Sequence, residues 1–234
     1  FYPVPVKDLI SKNYAYNLKQ EIFSDSASSS SSVKPGLNKF KESAETTHYS
    51  IIDKNKNTVS VTTTINSGYG SKVVVDGAGF FMNNEMDDFS AKPGVPNQFG
   101  LIGAEANAIK PGKRMLSSMT PTIVLKNDKP FLILGSPGGS TIITSVLQVF
   151  LNVAEFGMDI REAVNAPRFH HQWLPDQIDF EEFALIKDVK NNLLKMGHNL
   201  GNKRTLGRVQ AIMIENGIFY GASDPRSDGM AAGY

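Results

Sequence analysis

The residues with the clearest chemical potential lie in "ESAETTHYSIID", residues 42–53, where two threonines and a histidine separate a polar stretch from a β-rich one. A threonine hydroxyl is a poor nucleophile until a base takes its proton. A threonine at the start of a chain carries that base in its own α-amine. Such an amine has a reference pKa of about 7.7–8.0, close to operating pH, which general-base work requires. The amine of Thr46 exists only once the Glu45–Thr46 bond is cut, so this chemistry needs a cleavable segment before Thr46 and an ordered strand after it. The same residues also suit an ordinary strand that begins Thr-Thr.

Other segments carry polar groups in suggestive patterns. In "GSPGGS", residues 135–140, Gly138 and Gly139 let backbone N–H groups approach a ligand at the start of a helix, where they stabilise an anion or a developing oxyanion. No Gly-Lys-Ser/Thr follows, so this is not a Walker phosphate loop, and a tight strand-to-helix turn explains the glycines equally well. "NNEMDDF" supplies Glu85, Asp87 and Asp88, which could meet a metal, an ammonium group or water. No histidine or further carboxylate stands at ligand spacing, so neither metal nor cofactor is expected. "LSSM" adds the hydroxyls of Ser117 and Ser118. His170 and His171 are adjacent and, on a strand, point to opposite faces, so packing is their expected role.

The elements that must hold these groups read as follows. Residues 7–22 have helical spacing through Leu9, Ile10, Tyr14, Leu18 and Ile22. The five serines at 28–32 cannot bury apolar area and predict a flexible linker that continues to Glu45, where cutting is tolerated. Residues 47–53 and 58–66 predict a hairpin turning at "KNKN". In its second strand Val59, Val61, Thr63 and Ile65 form a face suited to a core. Ser60, Thr62, Thr64 and Asn66 form a hydroxyl row whose ordinary reading is a solvated face. Another strand is expected within 70–82, then a long loop over 90–112. A second hairpin turns at Asn127-Asp128, and an apolar helix over 141–156 should lie buried between layers. A short helix capped by Asp159, a helix ending at Gly197 and a third hairpin near Asn216 complete a layered α+β domain.

Composition narrows the function classes. The chain has 234 residues, 41% of them hydrophobic, with a net charge of +1. That charge favours neither nucleic acid nor an anionic membrane as partner. No apolar run reaches the roughly 18 residues of a membrane span. The absence of cysteine excludes disulfides and thiol catalysis. The start, "FYPVPVKDLI", has neither an initiator Met nor a signal-peptide pattern, and is expected to be the interior of a longer polypeptide.

Taken in order, "TTHYSIID", "TTTIN", "NNEMDDFSAKPGVPN", "LSSMTPTIV", "GSPGGS", "APRFHHQWLPD" and "YGASDPRS" closely resemble the small subunit of the γ-glutamyltranspeptidases, of the N-terminal-nucleophile hydrolase superfamily. The resemblance implies residues 1–45 as the tail of a large subunit and 46–234 as the small, catalytic one, within a four-layer αββα sandwich. It implies that Thr46 cuts the precursor at Glu45–Thr46 and then carries a γ-glutamyl ester. Thr64 would hydrogen-bond the nucleophile, and Gly138 and Gly139 would form the oxyanion hole. Asn66 would contact the substrate's α-carboxylate or α-amine. Glu85 and Asp88 would hold the α-ammonium, and Ser117 and Ser118 the α-carboxylate. A lid over 93–103 would contain Phe99, which replaces a tyrosine of many bacterial members and lacks the hydroxyl that bridges to the position of Asn66. The implied partners are the large subunit, glutathione-like donors and amino-acid or peptide acceptors, in a periplasmic or secreted location. An acylase of the same superfamily, or an inert fragment without its large subunit, are the alternatives.

Overall fold

The computed structural model describes residues 5–33, 46–95 and 103–233. Upstream, helices α1 (Val6–Leu9) and α2 (Lys12–Lys19) replace the single helix expected over 7–22. Ser11 interrupts it and caps α2, its hydroxyl accepting the Tyr14 N–H at 3.1 Å.

The body is layered. Strands β1 (Thr47–Ile52) and β2 (Thr58–Thr63) form the expected hairpin, with Thr47 opposite Thr63 and Ile52 opposite Thr58. Strands β3 (Thr122–Lys126) and β4 (Lys129–Gly135) turn at Asn127 and Asp128, both at positive φ as a tight hairpin turn requires. They join β8 (Gln210–Glu215) and β9 (Ile218–Ser223) in a sheet of order β3-β4-β8-β9. Helices α3 (Thr141–Ala154) and α4 (Ile160–Asn165) pack near that sheet. α4 starts with a full capping box between Asp159 and Glu162. The core joins Leu132, Leu134, Val146, Val149, Val164 and Val209. Its order of helices, four-stranded sheet and β-hairpin accounts for three of the four layers of an αββα sandwich.

A third, small sheet of order β5-β6-β7 is built from Phe169–His170, Ile178–Phe180 and Leu200–Lys203, with α5 (Lys187–Lys195) between the last two. Strands of two to four residues leave no alternation to read in the sequence, and none was expected there. Gly197 follows α5 with φ 94°, as a helix-terminating glycine does. No described helix is long and apolar enough to cross a membrane.

Four further expectations change. The strand expected within 70–82 is reduced to an isolated bridge between Val74 and Phe81. Helix α3 is apolar on nearly all sides, yet it buries one side only; Ile143 and Leu147 are exposed. The faces of the β1–β2 hairpin are reversed. Its hydroxyl row turns inward and its apolar row, Tyr49, Ile51 and Val59, is about half exposed. The inward hydroxyls are tolerated because they find partners. Ser60 donates to the Leu134 carbonyl at 3.2 Å, and Thr62 bonds His48 Nδ1 at 2.8 Å. Finally, the serine run is docked rather than loose, with Ser30 only 4% exposed.

Candidate active site

Two clusters gather at one end of the sandwich. The first begins at Thr46, directly before β1. The Thr47–Thr63 pair closes the ladder, so Thr46 and Thr64 are the next residues beyond it on the two chains. Strand β4 runs beneath them. The His48 ring rests on Gly135, where a Cβ would come within 2.2 Å of the ring. His48 also bonds Ser50 Oγ at 3.1 Å, and Ser50 donates to the Gln210 carbonyl at 3.4 Å, tying β1 to β8. Burial lowers the His48 pKa to about 4, so this ring is neutral and positions rather than titrates.

Three residues past Gly135 the chain turns into α3. Gly138 and Gly139 have φ 142° and 56°. A Cβ on Gly138 would meet Thr141 Oγ1 at 2.6 Å and Gly207 Cα at 3.2 Å, so the turn needs glycine for space as well as φ. The turn's own bonds use the two carbonyls, Gly138 O accepting from Thr141 N at 3.1 Å and Gly139 O from Ile142 N at 3.2 Å. A polar chain braces it from behind. Ser140 donates to Gln172 Oε1, which also bonds His170 Nε2 at 3.0 Å; His170 Nδ1 in turn bonds Thr144 Oγ1 at 2.7 Å. His170 is buried and His171, just past the end of β5, bonds Asp176 Oδ1 at 3.3 Å.

The second cluster follows β2. Asn66, buried and at φ 75°, donates its backbone N–H to Thr64 Oγ1 at 2.8 Å and its side-chain N–H to the Asn84 carbonyl at 3.2 Å. Asn84 bonds both the backbone N–H and the hydroxyl of Ser67, at 3.0 Å each. The acidic turn, Glu85 to Asp88, is thereby laced to the end of β2. Glu85 Oε1 is buried with no hydrogen-bond partner among the described residues. Burial, then the neighbouring Asp88, raises the Glu85 pKa to about 7. Asp88 is also raised by burial, against the pull of Ser118, whose hydroxyl donates to Asp88 Oδ2 at 2.8 Å. Ser117 donates instead to the Met119 carbonyl at 3.2 Å. Asn107 holds both loops, donating to the Asp88 carbonyl at 2.7 Å and accepting from Leu116 N at 3.0 Å. Two close carboxylates, one with an unpartnered buried oxygen, form a site that favours a cation. Among the described residues no group of three or more His, Cys, Asp or Glu could hold a metal.

Thr46 also lines a groove of about 890 Å³ that runs along β1 between the β8–β9 hairpin and residues 227–233. The second cluster does not line it. Glu45 and Phe99, the other side of the cleavage point and the expected lid residue, lie outside the described residues. Sequence reasoning missed His48, Asn84, Asn107 and the Ser140–Gln172–His170 chain, because their roles come from contacts across the fold. It also missed a buried ionic network. Arg168 donates to Asp224 Oδ2 at 2.8 Å, and Arg226 bridges Asp224 at 3.0 Å and Glu181 at 2.5 Å.

This layering is the fold of the N-terminal-nucleophile hydrolases. The family model for gamma-glutamyltranspeptidase matches residues 1–234, and the chain belongs to that family. It is 49% identical to the glutathione hydrolase proenzyme of Escherichia coli strain K12 over 236 residues, covering 100% of this chain and 40% of that protein. The chain spans about two fifths of the length of such curated relatives. Among solved structures, a Helicobacter pylori gamma-glutamyltranspeptidase T380A mutant is 58% identical with a TM-score of 0.74, covering 77% of this chain and 100% of that one. A cephalosporin acylase from Bacillus halodurans is 28% identical with a TM-score of 0.77, covering 99% of this chain and 40% of that one.

Proposed function

We propose that this chain is the nucleophile-bearing part of a γ-glutamyltransferase or glutathione hydrolase precursor, divided at Glu45–Thr46 into an upstream tail, residues 1–45, and a catalytic subunit, residues 46–234. Thr46, once N-terminal, attacks the γ-glutamyl carbonyl while its α-amine takes the hydroxyl proton. Thr64, across the hairpin, orients that hydroxyl. The backbone N–H groups of Gly138 and Gly139 face the oxyanion that develops. The amine leaving group departs with the proton, and water or an acceptor amine then releases the glutamyl group from its ester. The observation that carries this reading is the Glu85–Asp88 pair with Ser118, linked through Asn84 and Asn66 to Thr64. It supplies negative charge for the α-ammonium of a glutamyl head group.

Coverage supports the division. The H. pylori chain is matched whole by 77% of this one, close to the four-fifths that residues 46–234 represent. The large subunit is then the remaining upstream part of the precursor. The cephalosporin acylase shares the fold, but an amide substrate without an α-ammonium gives Glu85 and Asp88 nothing to pair with.

The test uses the full-length precursor. Thr46→Ala should remain one chain by intact-mass measurement, whereas the wild type yields a product starting at Thr46. Asp88→Asn should lower kcat/KM on a γ-glutamyl anilide by about one to two decades, the loss of a charge-assisted contact. Equal activity on the des-amino substrate would favour the acylase reading.

A further inference from the structure

We propose that Gln172 is a positioning residue for the oxyanion turn: it holds Ser140, and with it the Gly138–Gly139 backbone, at the end of a polar ladder that fixes where α3 begins. The inference rests on the reading that Gly138 and Gly139 receive the oxyanion.

Three rungs join α3 to the segment that opens with β5. Gln148 pairs with the backbone of Phe169 in both directions, its Nε2 donating to the Phe169 carbonyl at 2.8 Å and its Oε1 accepting the Phe169 N–H at 3.1 Å. Thr144 Oγ1 bonds His170 Nδ1 at 2.7 Å. Ser140 donates its hydroxyl to Gln172 Oε1. Residues 140, 144 and 148 are four apart and share one helix face. Their partners run 172, 170 and 169, so this segment runs against the helix. The lengths agree, since eight helical residues rise about 12 Å and three extended ones reach at most about 10 Å.

The last rung is the one beside the chemistry. Ser140 is the N-cap of α3 and follows Gly139, yet its side chain caps no N–H of the helix. A serine there ordinarily accepts an N–H of the first turn. Here its proton goes to Gln172 instead. The other end of the Gln172 amide sets its orientation: Nε2 donates to the Leu174 carbonyl at 3.1 Å, so Oε1 faces Ser140. The same oxygen accepts His170 Nε2–H at 3.0 Å. His170, 3% exposed, stands between Gln172 and Thr144 and carries the constraint one turn along the helix.

The apolar side of α3 cannot do this work. Val146, Val149 and Val153 bury it, but apolar attraction is non-directional and resists small slides along the helix axis weakly. Hydrogen bonds fix distance and angle together. A slide of α3 carries Gly138 and Gly139 with it, and an oxyanion donor must stay about 2.7–3.1 Å from the oxygen it serves.

Gln172→Met and Ser140→Ala should be made in the full-length precursor and assayed per molecule of product that begins at Thr46. Each should lower kcat about tenfold, short of the roughly 10²–10³ lost when an oxyanion donor is removed outright. KM should stay within about twofold, because acylation and deacylation pass through the same oxyanion and slow together. A glutamate analogue with a boronic acid in place of the γ-carboxyl becomes a tetrahedral anion on the Thr46 hydroxyl, and its affinity should fall in step with kcat/KM. Ser140→Thr, which keeps the hydroxyl, should retain kcat. The double variant of Gln172→Met and Ser140→Ala should be no slower than the slower single one, because both remove the same rung. Unchanged kcat in both single variants overturns the proposal, whatever happens to Tm. So does a lowered kcat with the boronate bound as tightly as before, and so do losses that simply add. A wild-type enzyme that binds the boronate no more tightly than glutamate has no oxyanion site at this turn, and the proposal falls with that reading.

Discussion

Glu85 is the side chain whose protonation the site depends on most. Its carboxyl is pushed up to about 7 by burial and by Asp88. Below that pH the cation site loses negative charge, while a substrate ammonium stays protonated. In the matured enzyme kcat/KM, which reports the free enzyme, should therefore rise as pH passes about 7. In the proposed mechanism the α-amine of Thr46 must also be neutral and would add a second rise near its reference range of about 7.7–8.0. Glu85→Gln should erase the lower rise and leave the upper one; a pH profile that keeps both places the lower ionisation elsewhere. The sign for stability is opposite. A folded pKa raised above the ordinary value of 4.5 means that Glu85's stabilising contribution is full below that value and is lost as pH rises through about 7. Glu85→Gln should thus raise Tm above pH 7 and leave it nearly unchanged near pH 4.

The β1–β2 hairpin shows how polar contacts position an element. Its inward row could not be packed by apolar groups, because His48, Ser50, Ser60 and Thr62 are polar; it is packed by pairing them with one another and with the carbonyls of β4 and β8. The His48 ring fills the space that a side chain at position 135 would occupy. Gly135→Ala should therefore overpack the junction, at a cost of about 1–3 kcal/mol. For a protein of this size that is a fall in Tm of very roughly 2–4 °C per kcal/mol. His48→Ala in the same chain should recover part of it, and a double-mutant cycle reads the coupling. If the two changes are simply additive, the ring does not hold β1 at Gly135. The hairpins themselves were legible because their turns and β-branched runs are local signals. β5, β6 and β7 were not, since such short strands exist only through the partners the fold brings to them.

At the scale of the whole molecule, one exposed apolar face among the described residues lies on the hairpin that carries Thr46. Tyr49, Ile51 and Val59 stand on the outer face of β1–β2 at 46%, 53% and 46% exposure. The chain spans two fifths of its relatives' length, and this face is where the remaining upstream part of the precursor would complete the layers. Ile51→Lys should then be near neutral in the 234-residue chain, as surface changes are. In the full-length precursor it should bury a charge without a partner and sharply reduce soluble, folded protein. Equal yield and equal Tm in the precursor would show that the face stays open to water.

The sequence by itself determined the order of the motifs, the three hairpins, the capped helices and the family to which they belong. It also marked candidates for the chemistry, since a Thr-Thr start, a Gly-Gly turn and an acidic turn are legible in the local sequence. The tertiary structure decided which groups meet. Period-2 alternation assigns Ser60, Thr62 and Thr64 to one face of β2 but not to the inside, because a polar row is buried wherever partners for its hydroxyls lie opposite. A serine run reads as linker from composition, yet it docks once Trp173 and Asp176, more than 140 positions away, present one donor and one acceptor to its backbone. Arg168 and Asp224 lie 56 positions apart and become a buried pair for the same reason: hydrogen-bond satisfaction is a property of the assembled fold, and local sequence carries no record of it.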